Sequence, residues 1–311
     1  MKPILSAKNN PPQQGQIAGQ VLHLSVCICT MDRPSILRQC LQSVADANPL
    51  PLEAIVSDDS RHPEATEALC REFAFARYVR GPQRGLCANR NCAIRASLGS
   101  YLTFLDDDAL LSPDFVRLAA ALVVSAAPTV IFTGDLLEGE AQDRLTPTNP
   151  GFWGHFGVPA QDCYQTIHIN CNLIPRAAFA QVAFDENLIY GYDEMDICAQ
   201  FLAAGYEIRY QPQLLNRHLP PQKNEAVRAR ELRLAEGARF YTSLKRYWRL
   251  QHKPLKAAVY VVLAPLHRMA FDVKIKDWQD IPRSLSDMGS ALRLVSAIPR
   301  AGSVLPSQGS P

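Results

Sequence analysis

The sequence predicts an α/β protein with a mostly parallel central sheet, followed by a basic helical extension. Three observations carry this. Strand-like apolar runs alternate with stretches of helical periodicity from Leu22 to Phe132, the pattern of a sheet with helices on both faces. Two of those runs stop abruptly at acid clusters, Asp58-Asp59 and Asp106-Asp107-Asp108. Charge is divided along the chain: residues 1–222 hold 16 Lys+Arg against 23 Asp+Glu, and residues 223–300 hold 16 against 7. The two parts therefore face different surroundings.

Each element has its own signal. Leu22–Cys29 is rich in apolar and β-branched residues and reads as the first strand. Pro34 suits the first turn of a helix, and Ile36, Leu37, Cys40, Leu41 and Val44 follow at helical spacing. Glu53–Ser57 is a second strand. Pro63 opens a helix carrying Ala65, Leu69 and Phe73, and Tyr78-Val79 is a short third strand. Gly85–Leu98 reads as helix, Ser100–Leu105 as the fourth strand, and Ser112-Pro113-Asp114 as a helix start. Thr129–Phe132 is the fifth strand. From Gly134 to Gln165 the pattern dissolves into Gly, Pro and Asn around Trp153, His155 and Phe156, as expected of a functional loop. Order returns over Thr166–Ile174. A helix covers Asp193–Ala204 and stops at Gly205, and Glu207–Tyr210 is a last strand. Asn224–Trp248 is a long basic helix.

Composition sets limits. A chain of 311 residues, 47% hydrophobic and 20% charged, can bury a core in one large domain plus an extension. The expected organisation is a disordered segment over 1–20, a catalytic domain over 21–222, the basic extension over 223–299 and a disordered tail over 300–311. The nine cysteines are odd in number and lie mostly in apolar periodic segments, which points to reduced, buried thiols in the cytoplasm. The first 20 residues lack the apolar stretch of a signal peptide. No run approaches the roughly 20 apolar residues that cross a bilayer.

The acid clusters carry the chemistry. Parallel strands end on one sheet edge, where open α/β sheets bind ligands, so the two clusters converge there. Three adjacent carboxylates repel unless a cation sits among them, and Mg²⁺ or Mn²⁺ takes oxygen ligands shared with substrate phosphates. The plainer alternative is a solvated acidic turn. A third cluster, Asp193-Glu194-Met195-Asp196, opens a helix. It either complements the helix N-terminus or supplies a general base. Trp153, His155 and Phe156 either wall a ligand site or anchor their own loop. His168 reads as a structural histidine. Asn170 and Asn172 share one strand face.

Five blocks in order resemble the inverting nucleotide-sugar glycosyltransferases of family two, which have the Rossmann-like glycosyltransferase A fold. They are Cys29-Thr30-Met31-Asp32-Arg33; Val56-Ser57-Asp58-Asp59-Ser60; Arg84-Gly85-Leu86 with Asn89-Arg90-Asn91; Asp106-Asp107-Asp108; and Phe184-Asp185-Glu186 with Gly191–Asp196 and Gly205-Tyr206. The resemblance covers Val21 to His218. It implies a metal-dependent inverting transferase of the hexosyltransferase type. Thr30, Arg33, Asp58, Arg84, Asp106 and Asp107 would line the donor nucleotide, with Asp58 accepting from the base. Asp108, Asp106 and His218 would surround Mg²⁺ or Mn²⁺. Glu194 falls where the family places its catalytic Asp, the general base, with Asp193 as the alternative, because the usual Glu-Asp order is reversed here. Asn172 falls near the acceptor, and Trp153 is assigned there too. The Asp-Asp-Gly-Ser stretch of the family lacks its glycine in this chain.

The implied partners are a nucleoside-diphosphate sugar, a UDP-sugar by default, and a glycan or lipid-linked glycan of a cell-surface polysaccharide. Ala257–Leu266 is ten apolar residues flanked by Lys253, Lys256, His267, Arg268, Lys274 and Lys276. It reads either as a packed helix or as a segment lying on an anionic membrane surface, which would place the protein at the inner face of the plasma membrane. Aromatic residues including Trp278 accompany it. Nucleic acid is not expected as a partner, because the site half is acidic. The rival readings are a nucleotidyltransferase, for which no Gly-rich phosphate loop with a positioned Lys is present, and a sugar-nucleotide-binding module without turnover.

Overall fold

The protein is described from a computed structural model over residues 16–17, 20–139, 141–220, 225–274 and 281–297. The remainder of 1–20, the tail 300–311, Lys276 and Trp278 lie outside the described residues. A small hairpin of β1 (Gln16–Ile17) and β2 (Gln20–Val21) precedes the main sheet. Then come β3 (Leu24–Thr30), α1 (Pro34–Ala45), β4 (Glu53–Asp58), α2 (Glu64–Cys70), β5 (Ala76–Arg80), α3 (Leu86–Ala96), β6 (Tyr101–Asp106), β7 (Ala109–Leu110) and α4 (Phe115–Ser125). The second half holds β8 (Val130–Glu138), β9 (Asp143–Leu145), β10 (Asn172–Pro175), α5 (Asp193–Ala203), β11 (Glu207–His218), α6 (Glu225–Lys245), α7 (Pro254–Lys274) and α8 (Ile281–Ala297).

The strand order is β5-β4-β3-β6-β10-β8-β11-β7, with β9 paired to the outer half of β8. β5, β4, β3 and β6 are mutually parallel. β10 runs against both β6 and β8, so β8 and its parallel partner β11 run the same way as the first four. Six strands thus deliver their C-terminal ends to one edge. Register fixes who meets whom there: Thr30 lies opposite Asp58, Cys29 opposite Asp106, and His218 opposite Glu138. The chain leaves Asp106, turns through Asp107-Asp108, and returns as β7 to pair with the end of β11. That hairpin brings Asp108 to His218.

Alternation along the strands feeds two cores. Leu24, Val26 and Ile28 of β3 pack with Leu37 and Leu41 of α1, Leu69 of α2 and Phe115 of α4. Cys27 of the same strand, with Leu102 and Phe104 of β6, faces Ile197 and Phe201 of α5. The second core continues without a break into Phe240, Tyr247, Tyr260 and Val295. The helices of the basic extension therefore share the interior of the sheet domain. A buried ion cluster reinforces the join. Lys245 of α6 lies 2.6 Å from Asp185 and 2.9 Å from Asp196 of α5, and the Tyr241 hydroxyl donates to Asp185 at 2.6 Å.

The structure extends several expected elements. β8 runs to Glu138 and β11 to His218, well past Phe132 and Tyr210. The strand expected over Thr166–Ile174 is confined to Asn172–Pro175. Of the nine thiols, seven are buried, Cys92 is partly exposed and Cys163 is exposed. Gly134 in β8 has a specific task. A Cβ there would sit 2.0 Å from the Leu214 carbonyl oxygen on β11. Gly134→Ala is therefore expected to destabilise the fold by about 1–3 kcal/mol, measurable by chemical denaturation.

Candidate active site

The sheet edge gathers acids and the cations that neutralise them. Asp107 is fully buried and accepts from the Thr30 hydroxyl at 2.7 Å and from the Arg33 guanidinium. Burial pushes its carboxyl up to about 7 against the opposing charge of Arg33 and the Thr30 hydrogen bond. Arg33 also reaches Asp108 at 3.0 Å. His218 Nε2 lies 3.2 Å from the other Asp108 oxygen. Burial would raise the Asp108 carboxyl, but His218 and Arg33 outweigh it and hold it down at about 2. The hydrogen bond it donates to Asp108 keeps His218 above its ordinary value against burial, helped by the charges of Asp108, Asp106 and Glu138.

Asp106 turns the other way. Its two oxygens accept from Arg90 at 3.0 Å and from the Asn170 carboxamide at 3.1 Å. Arg90 is buried in α3 and its second arm pairs with Asp193 at the start of α5. One guanidinium thus joins the end of β6 to the first turn of α5. A buried arginine is tolerable only when paired, and both partners here are carboxylates. Glu194 lies in the same field. Burial raises its carboxyl, the Asp106 charge adds to that, and Arg90 opposes it.

The backbone aims this turn. Gly191 (φ 80°) and Tyr192 (φ 58°) both take left-handed conformations before α5 begins. For Gly191 that is ordinary. For Tyr192 it carries strain of the kind concentrated at functional sites. The Tyr192 ring is covered by Phe156, stacked at 5.5 Å and 8°. The loop from Gly151 to Phe156 thus reaches from α7 to the acids of α5.

Other expected residues fall elsewhere. Asp58 is buried one strand over from Thr30, accepting from the Ser60 amide at 2.8 Å and facing the Tyr78 hydroxyl at 3.4 Å. Arg84 is exposed and pairs with Glu186 at 3.0 Å. Asn172, expected near the acceptor, lies within the sheet. It is fully buried, and its carboxamide serves the backbone of Phe104, His168 and Ile169. It holds the turn that presents Asn170, and Asn170 is the one that reaches Asp106. Trp153 is half-buried between its own loop and α7. Its ring stacks on His267 of α7 at 4.2 Å and meets Phe152 edge-on at 4.8 Å. Arg90 and Asn170 had no assigned role in the sequence reading. The usable signal for Arg90 was an arginine on a helix face otherwise made of Cys87, Ala88 and Asn91, all buried.

Among the described residues no cluster of three or more His, Cys, Asp or Glu side chains closes around one point. Asp108 and His218 are the two that converge, while the Asp106 oxygens face Arg90 and Asn170. Two converging protein ligands suit Mg²⁺ or Mn²⁺, which keep several positions for water and substrate phosphates.

A family model described as glycosyl transferase family 2 matches residues 25–179. The chain belongs to glycosyltransferase family 2. It is 35% identical over 140 residues to the succinoglycan biosynthesis protein ExoM of Rhizobium meliloti (strain 1021), a match covering 42% of each chain. It is 28% identical over 98 residues to glycosyltransferase GlyA of Streptococcus pneumoniae serotype 4, covering 30% of this chain and 14% of that one. The matches thus span less than half of either relative. Among solved structures, S. aureus TarS 1–349 in complex with UDP-GlcNAc superposes with a TM-score of 0.60 at 11% identity, covering 88% of this chain and 82% of that one. GalNAc-T7 with UDP, GalNAc and Mn²⁺ gives 0.58 at 16% identity, covering 73% and 47%. At these identities the likeness establishes the fold. This family 2 glycosyltransferase has the glycosyltransferase A architecture, a curled and mostly parallel sheet in a single α/β domain.

Proposed function

We propose that the protein is an inverting, metal-dependent transferase that moves a sugar from a nucleoside diphosphate to an acceptor hydroxyl. The observation that carries this is the Arg90 bridge, which holds Asp106 of the Asp106–Asp108 cluster and Asp193, next to Glu194, in one ion network. Asp108 and His218 would hold Mg²⁺ or Mn²⁺, which would neutralise charge on the departing diphosphate. Arg33 and Thr30 fix Asp107 behind that cluster, and Arg33 offers a second positive charge toward the phosphates. Asp58 and Arg84 form the nucleotide side. Glu194 accepts the proton of the acceptor hydroxyl as the new C–O bond forms at the anomeric carbon and the bond to the diphosphate breaks. Asp193, tied to Arg90, positions that turn. Phe156 is the aromatic face offered to the acceptor.

The UDP-GlcNAc of TarS and the GDP-Man of the Pyrobaculum calidifontis mannosyltransferase make nucleoside-diphosphate sugars the donor class, with UDP-sugars the first to assay. The name of ExoM supports a polysaccharide intermediate as acceptor. If that intermediate is carried on a lipid, the reaction belongs at the cytoplasmic face of the membrane.

The test is a panel of sugar nucleotides with Mn²⁺, read as nucleoside diphosphate release. Release that EDTA abolishes, and that Asp108→Asn lowers by at least about 100-fold, supports the proposal. Pyrophosphate release would mark a nucleotidyltransferase instead. Binding without turnover would mark a sugar-nucleotide module.

A further inference from the structure

One surface of the molecule is used by nothing described so far. α7 buries Ala257, Tyr260 and Ala264 against α6 and α8. Its opposite side exposes Leu255 (83%), Val259 (49%), Val262 (63%), Leu263 (41%) and Leu266 (57%). Leu255, Val259, Val262 and Leu266 recur at the i, i+4, i+7, i+11 spacing of a single stripe. At 1.5 Å per residue the stripe runs for roughly 17 Å along the helix. A contiguous apolar patch of this kind marks an interaction site.

Charge selects the occupant. From Arg246 to Phe271 the sequence holds no Asp or Glu; Arg246 and Arg268 are turned inward, Arg268 against Glu236, and the basic side chains left at the rim are the exposed Lys253 and the half-buried Arg249 and Lys256. Lys253 and His252 are exposed at the head of the helix, directly before Leu255. A second copy packed symmetrically on this stripe would bring the same basic rims together. An anionic surface meets the rim with opposite charge and the stripe with apolar chains. Among the described residues no helix is long and apolar enough to cross a membrane, so the helix would lie along the surface.

We propose that the exposed face of α7 is an interfacial membrane anchor, docking the protein on bilayers rich in anionic lipid with Leu255, Val259, Val262 and Leu266 inserted below Lys253. Amphipathic helices of this composition sink their apolar face to the headgroup boundary and gain from anionic lipids. The same helix carries His267, on which Trp153 stacks, and that loop ends with Phe156 over Tyr192. The anchor is thereby tied to the turn that presents Asp193 and Glu194. The inference adds a place to the proposed reaction, and it is read without turnover, so each can fail alone.

The experiment is co-sedimentation of the full chain with vesicles of phosphatidylcholine, with and without phosphatidylglycerol. The protein is expected to pellet with the anionic vesicles and far less with the neutral ones. Val262→Glu with Leu266→Glu should weaken binding by more than about tenfold. Lys253→Gln should weaken it about fivefold on anionic vesicles only. Unchanged circular dichroism and thermal unfolding check that the double variant folds. Leu255→Glu, at the most exposed position, is the second variant should it fail. The proposal is overturned if the native chain stays in the supernatant with anionic vesicles, or if the charged variants bind as it does. A native dimer that the double variant dissolves would also overturn it, assigning the stripe to a second copy.

Discussion

Glu194→Gln is expected to lower kcat by about 10²- to 10⁴-fold, with the affinity for the nucleoside diphosphate close to that of the native chain. Glutamine keeps the shape and removes the proton acceptor. The pH profile separates this from a structural loss. Burial and the Asp106 charge raise the Glu194 carboxyl, and a base works only when ionised. Activity is therefore expected to fall as pH drops through that raised value, with an acid limb above the ordinary glutamate range of about 4.3. The residual activity of the Gln variant should lack that limb. Asp193→Asn gives the contrast. It leaves the buried Arg90 short of a partner, so a lowered thermal midpoint should accompany its loss of activity. An acid limb that persists in Glu194→Gln would move the base to another carboxylate.

Lys245→Ala should cost about 3–5 kcal/mol of stability, read by chemical denaturation. Its ammonium lies between Asp185 and Asp196, whose carboxylates are both shielded from solvent. Removing it leaves two carboxylates enclosed beside each other without a cation, with the Tyr241 hydroxyl and Asn187 still donating to Asp185 and the Gln200 carboxamide to Asp196. Neutralising the acids as well, with Asp185→Asn and Asp196→Asn beside Lys245→Met, should recover much of the loss, because no uncompensated charge then remains. A Lys245→Ala variant as stable as the native chain would mean that α6 is held by its apolar contacts alone. The experiment bears on function, since Asp196 lies two residues beyond Glu194 on α5.

Much of the architecture was readable because parallel strands buried on both faces must be apolar throughout, and acids can follow only where such a strand leaves the sheet. That rule located Asp58 and Asp106 at one edge before any coordinates. It could not find the outer half of β11. After Tyr210 the chain reads Gln-Pro-Gln, where the register against β8 shifts, and pairing resumes only at Leu215 with the mixed run Leu215-Asn216-Arg217-His218. α8 escaped although Met288, Ala291 and Val295 recur at helical spacing, because its apolar face is short. At the site, residue types with a catalytic habit were legible: Asp106, Asp108, Glu194 and His218. The supports were not. Arg90 looks like a surface charge until tertiary packing buries it. Asn170 and Asn172 are chemically identical, and only the turn between β10 and the residues before it decides which of them reaches Asp106 and which ties down the backbone.

Because Arg90 is shared between the end of β6 and the start of α5, the two halves of the proposed catalytic centre have a common hinge pin. Redesign of one half cannot proceed as though the other were absent. Substitutions at Asp106 and Asp193 should be strongly non-additive, and swapping in an acceptor segment from a relative will work only if it brings a carboxylate that the same guanidinium can grasp.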